Sequence, residues 1–197
     1  MSSLKKKFLL CLAVIIGFGC LGVGSISAQA KAKPGFPRKT ITYHINSTGS
    51  YYRSVWRKAV KDWNKLKIVK LVKTGRASDA DLILTTTKNV GFKSYSDSGS
   101  PYDYGKGHFV TKEGEDGTLT QTQDWGYSLR LSRKLMKRMY FDKTERSGWA
   151  ETAIGDMLGL NWTKHYDSVM NNTSFKSDKP TKYDKKNLKK LYKNIPF

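Results

Sequence analysis

The spacing of apolar residues changes several times along the chain, and each change marks a different element. Ile41, Tyr43 and Ile45 alternate with polar residues, the two-residue period of a strand with one buried face. His44 falls on the opposite face of that strand, toward solvent. Tyr52, Val55, Trp56, Ala59, Val60 and Trp63 then recur at i, i+3, i+4, i+7, i+8 and i+11, which predicts a helix with a single apolar stripe. Ser50 is its expected N-cap, and Arg53, Arg57, Lys58 and Lys61 form its polar face. At this spacing the two tryptophans read as core rather than as a ligand platform. Ile68 to Val72 reads as a second strand, and Ala80 to Thr87 as a third, apolar enough to be central in a sheet. From Lys93 to Gly126 the chain is rich in Gly, Ser, Tyr and Asp without sustained periodicity, which predicts a long loop holding one or two short strands. Within it Glu113 to Gly117 lacks the spacing of a calcium loop and reads as a turn.

Tyr127 to Leu131 alternates again, as an edge strand would. Helical patterns follow at Ser132 to Tyr140, Ser147 to Leu158 and Tyr183 to Lys193. The second buries Ala150, Ala153, Ile154, Met157 and Leu158 and stops at Gly159, and the third buries Leu188, Leu191 and Tyr192. The order of strand, helix, strand, strand, long loop, strand and helices predicts an α+β domain with a mixed twisted sheet and a helical C-terminal part. No internal repeat is present.

The first thirty residues read as a signal peptide. Lys5, Lys6 and Lys7 form a basic start, Phe8 to Val23 is mostly apolar, and Ala28-Gln29-Ala30 is a small-x-small cleavage site. The competing reading is a retained membrane anchor, since the apolar run is near the lower length limit for a span. Residues 31–39, with Pro34 and Pro37, read as a short unstructured leader before a domain over residues 40–197. Both cysteines, Cys11 and Cys20, lie in the signal segment, so the rest of the chain has no thiol or disulfide chemistry and must rely on its core. Its length suits one domain.

The net charge is +20, and +17 once Lys5, Lys6 and Lys7 are set aside. Most of it lies in Arg53 to Lys73, Arg133 to Arg146 and Lys176 to Lys193, whereas Ser94 to Asp124 is acidic. Such a surface attracts polyanions: an anionic cell-wall polymer, a membrane surface, or nucleic acid, which a secreted protein is not expected to meet in vivo. The plainer reading is that the lysines keep a secreted protein in solution. Asn46, Asn161, Asn171 and Asn172 begin N-x-S/T sequons. No G-x-S-x-G and no phosphate-cradling glycine loop is present.

The domain resembles the matrixin-type metzincin zinc metallopeptidases. "ITYHI" followed by a helix with "AVKDW" is similar to that family's opening strand and first helix, and "SDADLIL" to its next strand. "SVM" resembles its Met-turn, and "KYDKKNLKKLY" its closing helix, which carries an Asp followed by spaced aliphatics. No single piece is specific, but their order and spacing together are. The resemblance implies a metzincin catalytic-domain fold: a mixed twisted sheet, an N-terminal amphipathic helix, an active-site helix and a C-terminal helix.

The family's zinc signature is H-E-x-x-H-x-x-G-x-x-H, in which two imidazoles share one helix face and a glycine turn brings round the third. The glutamate activates the metal-bound water. Laid on this chain, the motif's glycine falls on Gly159, Gly155, Leu158 and Leu160 fit framework positions, and Met170 takes the Met-turn position. The positions that carry chemistry are replaced. Thr152 stands for the first histidine, Ala153 for the general base, Asp156 for the second histidine and Trp162 for the third. No change of register restores them, because no histidine lies between His108 and His165. A salvage site would have to draw on Asp156, His165, Asp167 and Glu151 without the i, i+4 imidazole pair.

Three functions follow as expectations. The first is a secreted, catalytically inactive pseudo-metallopeptidase that binds an extended peptide or an anionic cell-wall polymer, with no cofactor. The second is an active zinc metallopeptidase with non-standard ligands, the one case in which zinc is the cofactor. The third is a cationic protein that binds the cell envelope or a membrane surface. The sequence does not set the oligomeric state.

Overall fold

The computed structural model describes residues 34–88, 102–106, 109–113, 119–123, 126–172 and 177–197. All belong to the unit Ala32–Phe197. Strand β1 (Thr40–Ile45) leads through helix α1 (Ser50–Lys65) to β2 (Lys70–Lys73), which pairs parallel to β1. A single 3-10 turn, Ala77–Asp79, precedes β3 (Leu82–Thr87). Three short strands follow: β4 (Tyr102–Lys106), β5 (Phe109–Glu113) and β6 (Leu119–Gln123), then β7 (Tyr127–Ser132). Three helices follow: α2 (Arg133–Arg138), α3 (Lys143–Met157) and, after a loop, α4 (Lys182–Leu191).

The main sheet has the order β2-β1-β3-β7-β4, with four parallel strands and β4 antiparallel on one edge. Strands β5 and β6 form a separate antiparallel pair. The described residues are therefore α+β, with a mixed sheet and four α-helices. On the buried face of the sheet Ile41, Leu82, Leu84, Leu129 and Leu131 are fully covered, while their sequence neighbours are half-buried except Ser132, which is buried at the end of β7. Helices α1 and α3 lie together, bridged by the indole N–H of Trp63, which donates to the Glu151 carbonyl at 3.0 Å. Trp56 donates in the same way to Thr85 of β3 at 3.2 Å, so both tryptophans are core residues that tie α1 to its neighbours. Among the described residues no helix is long and apolar enough to cross a membrane.

Several elements differ from the sequence pattern. The N-cap of α1 is Gly49, at φ 84°, and Ser50 is the first helical residue. His44 is half-buried, with Nδ1 3.3 Å from the Thr74 carbonyl, rather than facing solvent. The long loop contains three strands, and Gly114 to Gly117 of the acidic turn lie outside the described residues. Strand β7 is interior, because β4 pairs along its outer side from Tyr102↔Leu131 to Lys106↔Tyr127. Helix α3 begins four residues earlier than its apolar pattern, at a capping box: Asp142 accepts from the Glu145 amide at 2.9 Å, and Glu145 from the Asp142 amide at 2.7 Å.

The leader is packed rather than unstructured from Pro34 onward. Phe36 is buried edge-on against Tyr127, with ring centroids 5.7 Å apart, and the Gly35 amide donates to the Leu158 carbonyl at 3.2 Å. A Cβ on Gly35 would lie 1.7 Å from the Met157 carbonyl oxygen, so only glycine permits this approach.

Candidate functional site

Helix α3 is central rather than amphipathic. Besides the predicted stripe, Ser147, Gly148, Glu151, Thr152 and Gly155 are all buried. Gly155 lets α3 approach α1: a Cβ there would sit 2.8 Å from Met170 Sδ and 2.9 Å from Trp63 Cζ2. The helix ends at Leu158 in a Schellman motif, in which Gly159 N donates to Asp156 O at 2.9 Å and Leu160 N to Gly155 O at 3.0 Å. Gly159 takes φ 91°, the left-handed conformation that reverses the chain. Leu158 and Leu160 are buried in the core below it.

Beyond Leu160 the chain loops out and returns through Ser168-Val169-Met170, and three sets of hydrogen bonds hold this return. The Thr152 hydroxyl lies 2.8 Å from the Val169 carbonyl and 3.0 Å from the Gly148 carbonyl of its own helix. Its one proton therefore ties α3 to the turn, with i−4 back-bonding as the alternative acceptor. Across the loop, Thr163 N donates to Met170 O at 2.9 Å and Asn172 N to Thr163 O at 3.0 Å. Below the turn, Asp184 of α4 is buried and accepts from Ser168 Oγ, Val169 N (3.2 Å), Thr181 N (2.9 Å) and Thr181 Oγ1 (3.1 Å). Ser168 Oγ in turn accepts from Met170 N at 3.0 Å. Met170 is buried against Gly155, and Asn171 donates to the His165 carbonyl at 2.9 Å.

The residues at the motif's chemical positions have separate fates. Thr152 and Ala153 are fully buried, Asp156 is half-buried, and Trp162 is 36% exposed on the loop. The His165 ring stacks on Tyr183 at 3.9 Å between centroids and on Tyr166 at 5.5 Å, while Asp167 is exposed. The carboxyl of Glu151 belongs to another network. Oε1 accepts from Lys58 Nζ at 3.0 Å, and Oε2 has no hydrogen-bond partner among the described residues. Lys58 also reaches Asp62 Oδ2 at 3.1 Å and the Asp178 carbonyl at 2.8 Å. Among the described residues no group of three or more His, Cys, Asp or Glu is placed to hold a metal.

Burial pushes the Glu151 carboxyl up to about 9, outweighing the attraction of Lys58. Burial alone would lower Lys58, but Glu151 and Asp62 raise it to about 12. The two shifts compete for one interaction, and burial of the carboxyl decides it. Lys58 keeps Asp62 and Asp178 as counter-charges, whereas Glu151 has an oxygen with no donor. For Asp62 burial acts upward, but Lys65 and Lys58 outweigh it and hold the carboxyl below its ordinary value.

Sequence reasoning missed Asp184, Thr163 and Asn171 as the supports of this site. Thr181-x-x-Asp184 is a legible helix-start signature, but its second use, under the Ser168 turn, spans a gap that no spacing rule covers. No protein-family model and no curated protein matches the chain.

Proposed function

We propose that the chain is a secreted matrixin-like domain that works by binding rather than by hydrolysis, a pseudo-metallopeptidase whose ligand is an extended peptide or an anionic envelope polymer. The observation that carries this reading is the contact between the Thr152 hydroxyl and the Val169 carbonyl. At the position of the motif's first histidine, a hydroxyl is spent on joining the helix to the turn. A neutral threonine whose one proton is donated to a backbone carbonyl is a poor metal ligand, and the Ala153 methyl cannot serve as a general base.

The mixed sheet, the glycine-reversed helix end and the buried Met170 supporting that helix agree with the metzincin reading of the fold. Peptides bind metzincins by adding to a sheet edge, and among the described residues β4 is the last strand on one side of the sheet. The reading is tested by mixing the purified chain with casein and with an extended-peptide library. Binding without chelator-sensitive cleavage is expected. Cleavage that a chelator abolishes, and that Asp156→Ala also removes, would establish the active-peptidase alternative instead.

A further inference from the structure

Helix α2 ends in the same hydrogen-bonded reversal as α3, but without a glycine. Tyr140 N donates to Lys137 O at 3.1 Å and Phe141 N to Met136 O at 3.0 Å, which places Tyr140 at the left-handed position of a Schellman motif. Its φ is 55°, a conformation that glycine adopts freely and a bulky aromatic residue rarely does. The strain is not offset by packing, because Tyr140 is 92% exposed and the preceding Met139 52% exposed. Lys67, the other non-glycine residue at positive φ among the described residues, also follows a helix, but its flexible charged side chain is readily solvated. At Tyr140 the fold keeps a large apolar ring in water at a position where glycine would be less strained.

The surroundings are rich in cations. Lys134, Lys137 and Arg138 are exposed at i, i+3 and i+4 on one face of α2, opposite the buried Met136. Lys143 is exposed just beyond the knuckle, and these four cations outnumber the two neighbouring carboxylates, Asp142 and Glu145, which cap α3. A polyanion alone would use the cations and leave the Met–Tyr pair idle. A bilayer with anionic headgroups uses both, since tyrosine settles at the interface between headgroups and acyl chains while lysines meet the charge.

We propose that the Met139–Tyr140 knuckle is a docking point for an anionic lipid surface. It deepens the envelope-binding part of the proposed function, and rests on that reading only for the presence of such a surface. Peptide turnover would overturn the pseudoenzyme reading and leave this docking point standing.

The test uses the full chain carrying Cys11→Ser, Cys20→Ser and Met139→Cys, labelled at Met139→Cys with an environment-sensitive fluorophore. The local probe reports on the knuckle, whatever the N-terminal apolar segment does. Vesicles of mixed anionic and zwitterionic phospholipid should blue-shift the probe, and purely zwitterionic vesicles should not. Each cation near such a surface strengthens binding by roughly fivefold, so the triple change Lys134→Gln, Lys137→Gln and Lys143→Gln should weaken it by about two orders of magnitude. Tyr140→Gly should weaken binding several-fold while leaving Tm unchanged or raised, a combination that a packing role for the ring does not give. The proposal is overturned if the probe stays in water while vesicles bind. It is equally overturned if soluble polyphosphate competes fully and Tyr140→Gly has no effect on vesicle binding, or if Tyr140→Gly lowers Tm.

Discussion

A methyl group at residue 155 has nowhere to go. Met170 Sδ could yield to it, but the Trp63 ring is pinned by its bond to Glu151 O, and Cζ2 and Cη2 lie 2.9 and 3.3 Å from the added carbon. Gly155→Ala is therefore expected to cost about 1–3 kcal/mol, as overpacking of a fixed core does. Denaturant unfolding reads this directly, and an unchanged midpoint would mean that the two helices can separate. Thr152→Val keeps the shape of the side chain but leaves the Val169 carbonyl without its donor. A loss of about 1–2 kcal/mol is expected by the same measurement. No loss would show that the hydroxyl does not hold the turn. The framework glycines and leucines were legible in the sequence because a helix stop and a close approach dictate residue type. The partner of Thr152 was not, since a hydroxyl carries no mark of a carbonyl seventeen residues away.

Between elements, Lys58 joins α1 to α3 through Glu151 and to the segment before α4 through Asp178. Glu151 is raised to about 9 in the fold, from an ordinary value of 4.5. Across that interval the folded chain holds a proton that the unfolded chain has released, so stability falls as pH rises from about 4.5 to about 9. Asp62 acts in the opposite sense: its depressed carboxyl contributes stability that is lost as pH falls below the ordinary carboxylate range. Glu151→Gln, neutral at every pH, should flatten the decline in Tm between roughly pH 5 and 9. Wild-type and variant curves that run parallel would mean that the carboxyl is ionised throughout.

The legibility of the elements follows from their environment. Helix α1 has one buried stripe, so its period was plain, whereas α3 is buried nearly all round and its first turn, opened by the Asp142–Glu145 cap, carries no apolar period and was missed. Strand β7 alternates as an edge strand does, yet lies inside the sheet because β4 comes from a segment with no apolar period. Strand alternation reports which face is buried and says nothing about which edges are paired.

For the whole molecule, hydrogen bonds hold together the end of α3, the loop beyond it and the Ser168–Met170 turn. The Thr152 hydroxyl, the Thr163–Met170 bridge and the Asp184 cradle fix the loop to α3 and α4. With net charge +20, and with exposed cations around Tyr140, the surface is suited to meeting anionic partners. The most direct measurement is the zinc content of the purified chain after incubation with zinc and desalting, taken together with its thermal unfolding with and without a chelator. The account predicts no retained zinc and a cooperative transition that the chelator does not move. One equivalent of retained zinc, with a Tm that drops on chelation, would contradict it.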